Sequence, residues 1–190
     1  MTEKDIISLI EQDKWMMDVL KTVQSLHLPD WLIGAGFVRS KVWDHLHEYK
    51  DRTSLPDIDV IYFDKDDFTQ EEMKQDTTNA EIEYEKRLKE LMPDINWSVT
   101  NQARMHAFHN DEPYKDSEEA LSRWVETATC IGVCLNEQNE VTLKAPHGID
   151  DLVQLVLRPT PGVYTDTKRF YERMNKKDWL RKWPKLKIVT

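Results

Sequence analysis

The chain has 190 residues, 26 Lys and Arg against 35 Asp and Glu, and a formal net charge of −9, which suits one domain able to bury a substantial core. The charge is uneven: residues 167–190 hold nine Lys and Arg against Glu172 and Asp178, so the rest of the chain carries −16. An acidic body argues against wrapping duplex nucleic acid, whose affinity rests on phosphate contacts, and no run approaches the roughly 20 apolar residues of a membrane helix.

Met1-Thr2-Glu3-Lys4-Asp5 is charged and lacks the apolar stretch of a signal peptide, so the expected location is the cytoplasm. Residues 4–27 are expected to form one amphipathic helix, with Ile6, Ile7, Ile10, Met17, Leu20 and Val23 near a 3.6 period and Pro29-Asp30 ending it. Trp31-Leu32-Ile33 reads as a short strand entering the turn Gly34-Ala35-Gly36, and a helix follows with Val38, Val42 and Leu46 at four-residue spacing. Asp51 to Pro56 is a polar loop, Ile58 to Phe63 a strand, and Thr78-Asn79-Ala80-Glu81 a capping box opening a helix to about Met92. Ile95 to Thr100 alternates like a strand, with Asn96, Ser98 and Thr100 on its polar face, and Asn101 is an expected N-cap for a helix through His106.

Ala128 to Leu135 and Val141 to Ala145 flank Asn136-Glu137-Gln138-Asn139 as a hairpin. Within it, Cys130 and Cys134 share a strand face too far apart to bridge and are expected as reduced core thiols. Asp150 and Asp151 are expected to cap a short helix, followed by the loop Arg158 to Gly162 and a basic C-terminal helix. That helix either docks on the acidic body or touches a phosphate-rich acceptor. The fold class is mixed α and β: one domain over 1–190, with a central mixed sheet in a core of about 31–106, and a hairpin and helical part over about 107–190.

Strand, glycine turn, helix, loop, then a strand bearing Asp57-Ile58-Asp59 is the unit that carries chemistry. Residues i and i+2 of a strand share a face, so both carboxylates converge. Two close carboxylates repel unless a cation lies between them, and Mg²⁺, or Mn²⁺ in its place, suits oxygen ligands that also meet substrate phosphates. The glycine turn at a helix N-terminus offers backbone N–H groups to a triphosphate, and Arg39 offers a two-pronged phosphate contact.

Gly34-Ala35-Gly36-Phe37-Val38-Arg39 followed by Asp57-Ile58-Asp59-Val60 resembles the polymerase-β-type nucleotidyltransferase signature, in the version found in CCA-adding enzymes. With Leu55-Pro56, Asn101-Gln102-Ala103-Arg104-Met105-His106 and Ala145 to Leu152, the stretch from about Trp31 to Trp183 is similar to a family of small bacterial nucleotidyltransferase-like proteins. The resemblance implies Asp57 and Asp59 as catalytic metal ligands, with Gly34, Gly36, Arg39, Ser40, Asn101 and Arg104 toward the nucleotide. It implies transfer of a nucleoside monophosphate from an NTP to an acceptor hydroxyl; the acidic body and basic tail, rather than the resemblance, favour a small-molecule or protein acceptor over long nucleic acid. The alternative is a binding or sensor protein that keeps the pocket and turns over weakly or not at all.

Two positions depart from the pattern. Ser40 stands where CCA-adding enzymes carry Asp. Active members of the superfamily use a third carboxylate on the neighbouring strand, where Ser98 stands here; Asp94 lies at that strand's start. Loss of general-base help typically costs about 10²–10⁴-fold. A dinucleotide-binding unit fits less well: Arg39 fills the third glycine position, and Asp57 and Asp59 begin their strand, whereas a ribose-binding acid ends one. His45 with His47, and His106 with His109, lack cysteine at zinc spacing.

Overall fold

Asp13 divides the long N-terminal helix expected over residues 4–27. In the computed structural model, which describes residues 1–109, 111–162 and 168–189 (backbone alone for 168 and 169), α1 (Glu3–Glu11) and α2 (Lys14–Gln24) meet at a bend. Asp13 leaves helical geometry there and caps α2, its carboxylate accepting from the Met16 N–H at 3.2 Å. The same carboxylate accepts from Lys41 at 2.7 Å and from Arg52, so capping and ion pairing together outweigh helix continuation.

Five strands form the central sheet: β1 (Leu32–Gly34), β2 (Ile58–Tyr62), β3 (Trp97–Asn101), β4 (Gly132–Leu135) and β5 (Val141–Lys144), ordered β3-β2-β1-β4-β5. β1 runs antiparallel to β2 and β4, β4 to β5, while β2 and β3 are parallel and joined through α4 (Asn79–Leu91). The sheet is thus mixed, as expected. The hairpin is shorter than expected: Ala128 and Thr129 lie in a 3₁₀ turn over 127–129, and Cys130 precedes the strand, so the two cysteines do not share it. Both thiols are free, and burial pushes Cys130 up to about 12.

α3 (Gly36–Leu46), between β1 and β2, is buried on several faces, including the polar Arg39, Ser40 and Asp44. Its apolar stripe is therefore wider than the Val38-Val42-Leu46 spacing suggested. The sheet alternates as a two-faced layer. Ile58, Val60, Tyr62, Trp97 and Val99 enter the main core with Val38, Trp43 and Leu88. On the other face Leu32 and Ile61 make a small cluster with Leu121 and Trp124.

The capping box at Thr78 forms, and it does more than start α4. Glu81 accepts from the Thr78 N–H at 2.7 Å and from the Asn101 N–H of edge strand β3 at 2.7 Å. Glu85, one turn on, accepts from the Val99 N–H at 3.0 Å. α4 thereby occupies the open N–H positions of the sheet edge with carboxylates, which blocks pairing with another strand.

Beyond the sheet lie α5 (His106–His109), α6 (Ser117–Leu121), α7 (Asp150–Val153), β6 (Val156–Leu157), α8 (Lys168–Lys176), α9 (Trp179–Lys182) and β7 (Lys187–Ile188). Asp150 and Asp151 do not cap α7, whose N-cap is Ile149; Asp151 instead accepts from Thr127 at 2.6 Å and pairs with Arg158 at 3.0 Å. β7 pairs with β6 in parallel. Trp179 and Trp183 pack edge-on against Trp43, with ring centroids 5.7 and 5.1 Å away, and Trp183 donates to Asp44 at 2.8 Å. The basic C-terminal segment is thus docked on the body. No helix among the described residues is long and apolar enough to cross a membrane.

Candidate active site

Pairing places the site at the end of β1. The register Leu32↔Ile61 and Ile33↔Val60 continues to set Gly34 beside Asp59, and on the far side Gly34 pairs with Gly132. Asp59 lies directly beside Ser98 across the parallel pair, and Ile61 beside Thr100. These side chains share one face, and that face floors a cavity of about 340 Å³. Asp57, Asp59, Ile61, Ser98, Thr100 and Gln102 line it on the sheet side, and Arg123, Trp124, Arg173 and Lys177 on the other.

Gly34 is required by close approach. A Cβ there would lie 2.8 Å from the Trp124 ring, so the indole settles on the turn only because the side chain is absent. Gly36 is different: a Cβ would meet nothing closer than 3.5 Å. Between them Ala35 holds φ 45°, uncommon for a residue with a side chain. It lines the cavity, and its N–H donates to the Ile131 carbonyl at 3.0 Å.

Burial and the charge of Asp57 push the Asp59 carboxyl up to about 6, against the opposing pull of Arg39, Lys177 and Arg173. A pair in which one carboxylate resists ionisation is short of positive charge at its own oxygens, and a divalent cation fits that deficit. Among the described residues no group of three or more His, Cys, Asp or Glu side chains could hold a metal. The oxygen offered by the neighbouring strand beside Asp59 is the Ser98 hydroxyl.

The other expected site residues are distributed differently. Arg39 does not line the cavity. It is buried, its guanidinium stacks 4.3 Å from the Trp179 ring centroid and 5.1 Å from that of Trp43, and its Nε has no hydrogen-bond partner among the described residues. Burial lowers it to about 10, partly opposed by Glu126, Asp59 and Asp57, so it remains a cation behind the carboxylates. The Ser40 hydroxyl is likewise buried, with no hydrogen-bond partner among the described residues.

Asn101 and Arg104 lie apart from the cavity lining, and Asn101 takes the capping position expected of it. Asn101 is fully buried, caps the following 3₁₀ turn through the Ala103 N–H at 3.1 Å, and donates to the Asp64 carbonyl at 2.6 Å. Arg104 is fully buried and forks onto Glu81, with further bonds to the Gln75 and Asp76 carbonyls. The side-chain donors of both residues are thus engaged in the interior. The residues missed by sequence reasoning, Arg123, Trp124, Arg173 and Lys177, come from segments far along the chain. For Arg173 and Lys177 the one signal was the excess of positive charge after residue 167; Arg123 and Trp124 had none.

A family model described as nucleotidyltransferase matches residues 21–188. A search of curated proteins returned no match. Among solved structures, the chain is similar to one described as revealing a CCA-adding enzyme head domain, at 31% identity and TM-score 0.83, covering 100% of this chain and 96% of that one. It also matches a CCA-adding enzyme in complex with CTP at 14% identity and TM-score 0.56, covering 97% of this chain and 43% of that one. The Thermotoga maritima CCA-adding enzyme complexed with tRNA matches at 15% identity and TM-score 0.51, covering 100% and 43%. The chain thus spans under half the length of these two enzymes, and at such identity they show the fold alone. The family match over most of the chain, and the close match to the head domain along its full length, make this chain a member of the nucleotidyltransferase family.

Proposed function

We propose that the protein transfers a nucleoside monophosphate from an NTP to an acceptor hydroxyl. The acceptor oxygen attacks the α-phosphorus, the bond to the β-phosphate oxygen breaks, and pyrophosphate leaves. The observation that carries this reading is the Asp57–Asp59 pair on the floor of the cavity, beside the strand–turn–helix junction of a nucleotidyltransferase-family chain. Asp57 and Asp59 would hold Mg²⁺, or Mn²⁺ in its place, which when bound neutralises charge on the attacking and leaving oxygens. Ala35, which precedes the first turn of α3, lines the cavity, so the N-terminus of that helix lies beside the place proposed for phosphate. Arg39 supports the carboxylates from behind.

The acidic body favours a small-molecule or protein acceptor over long nucleic acid. A cytoplasmic location agrees with the supply of NTP. Ser98 beside Asp59 is the observation on the side of the alternative, a protein that binds nucleotide and does not turn it over.

The test is incubation with each NTP and Mg²⁺ across acceptor classes, with pyrophosphate release as the readout. Release that falls by at least about 10²-fold in Asp57→Asn and Asp59→Asn is the expected result. Nucleotide binding with no release would favour the sensor. If both variants bind and release like the wild type, the site is assigned to the wrong residues.

A further inference from the structure

Resting on the nucleotide reading above, we propose that Arg123 and Lys177 form a polyphosphate-binding wall facing Asp57 and Asp59. The wall takes the β- and γ-phosphates of the bound NTP and then the departing pyrophosphate. The need for it arises from Arg39, the cation expected at the phosphates, which is buried between Trp43 and Trp179 and does not line the cavity. A triphosphate entering beside two carboxylates requires positive charge from elsewhere.

Among the described residues three Lys and Arg side chains line the cavity: Arg123, Arg173 and Lys177. Arg173 is committed to Glu126 at 2.6 Å, and Glu126 is fully buried, so this pair belongs to the fold. Arg123 and Lys177 make no side-chain hydrogen bond or ion pair with any described residue. In an acidic protein, two half-buried cations that pair with no described residue and line one cavity are poised for an anion.

Both are held on anchored elements. Arg123 follows α6, whose first residue, Ser117, bonds Asp30 through its N–H at 2.6 Å and its hydroxyl at 2.5 Å; the next residue, Trp124, rests on Gly34. Lys177 lies one turn beyond Arg173, its N–H donating to the Arg173 carbonyl at 2.9 Å, between the buried Met174 and Trp179. The guanidinium fork and the ammonium point charge both suit non-bridging phosphate oxygens. After transfer the α–β bond is broken but both contacts to the leaving diphosphate persist. Inorganic polyphosphates should therefore occupy the wall without a nucleoside.

The experiment is calorimetric titration of the full chain with sodium tripolyphosphate and Mg²⁺, repeated for Arg123→Ala, Lys177→Ala, Lys177→Gln and Lys177→Arg, with unfolding temperature as the check on folding. We expect each neutral variant to lose about 10-fold or more in affinity at unchanged unfolding temperature, and Lys177→Arg to retain most of it. Wild-type affinity in the folded neutral variants, or no tripolyphosphate binding by the wild type, overturns the wall. The two readings fail separately. Wild-type binding through both cations without pyrophosphate release from any NTP supports the wall and counts against transfer. Release with unaltered KM for NTP in the neutral variants supports transfer and overturns the wall.

Discussion

Glu81 and Arg104 form a buried pair whose disruption can be worked through from the structure. The two side chains are 1% and 0% exposed, and the Glu81 carboxylate accepts from Arg104, from the Thr78 N–H and from the Asn101 N–H. In Glu81→Gln the guanidinium keeps its two carbonyl acceptors but loses its counter-charge in the interior. Removing one partner of such a pair costs about 3–5 kcal/mol. At about 2–4 °C per kcal/mol for a chain of this size, the unfolding temperature should fall by about 6–20 °C. Arg104→Met alone leaves the carboxylate uncompensated and should cost a similar amount. Glu81→Gln with Arg104→Met removes both charges and should cost less than the two single losses added, with a coupling of about 2–3 kcal/mol. Chemical denaturation of the four proteins measures that coupling. Additivity within about 0.5 kcal/mol would refute the pairing. The double variant also tests whether Arg104 meets the nucleotide: with its donors engaged in the interior it should bind NTP as the wild type does, and a folded double variant that has lost NTP affinity about 10-fold would place Arg104 at the nucleotide.

Gly34→Ala should lower the unfolding temperature, because its Cβ meets the Trp124 ring at 2.8 Å and overpacking costs about 1–3 kcal/mol; Gly36→Ala, with nothing closer than 3.5 Å, should be neutral or slightly stabilising by calorimetry. Burial raises the Asp13 carboxyl, but the Lys41 bond, the Met16 N–H and Arg52 outweigh it and hold it below the ordinary 3.8. The stability from this group is therefore present above about pH 3.8 and is lost as pH falls through its lowered value, so the gap in unfolding temperature between wild type and Asp13→Asn should close in acid and persist at neutral pH.

Much of the architecture was legible because local patterns and tertiary environment agreed. The capping box at Thr78, the alternation through Ser98 and Thr100, and the strand after Asp57 each lie within one element, so periodicity reports them directly. The break at Asp13 was hidden because α1 and α2 both present apolar residues to one core, so the stripe continues across the bend while the backbone does not. The Asp13 cap on Met16 is reinforced by Lys41 and Arg52, and those residues lie 28 and 39 positions away. Ala128 and Thr129 misled for the opposite reason. Their composition suits a strand, but Glu126, fully buried, ties that segment into a 3₁₀ turn through Thr129 and Arg173.

The candidate site divides along the same line. Asp57 and Asp59 share a face because strand geometry alone requires it. Which cations meet them depends on the C-terminal segment, whose position is set by Trp179 and Trp183 on Trp43 and by the Trp183–Asp44 bond, 139 positions apart in sequence. Arg39 shows how the two levels interact. Its spacing after the glycine turn matches a phosphate ligand, yet the indole of Trp179, donated by that distant segment, covers its guanidinium. Burial then withholds Arg39 from the cavity while its charge still acts on Asp59. The same segment turns Lys177 into the cavity. The cations lining the cavity thus come from Arg123 and from the C-terminal segment rather than from the helix after the glycine turn, and no motif of fixed spacing could have recorded that exchange.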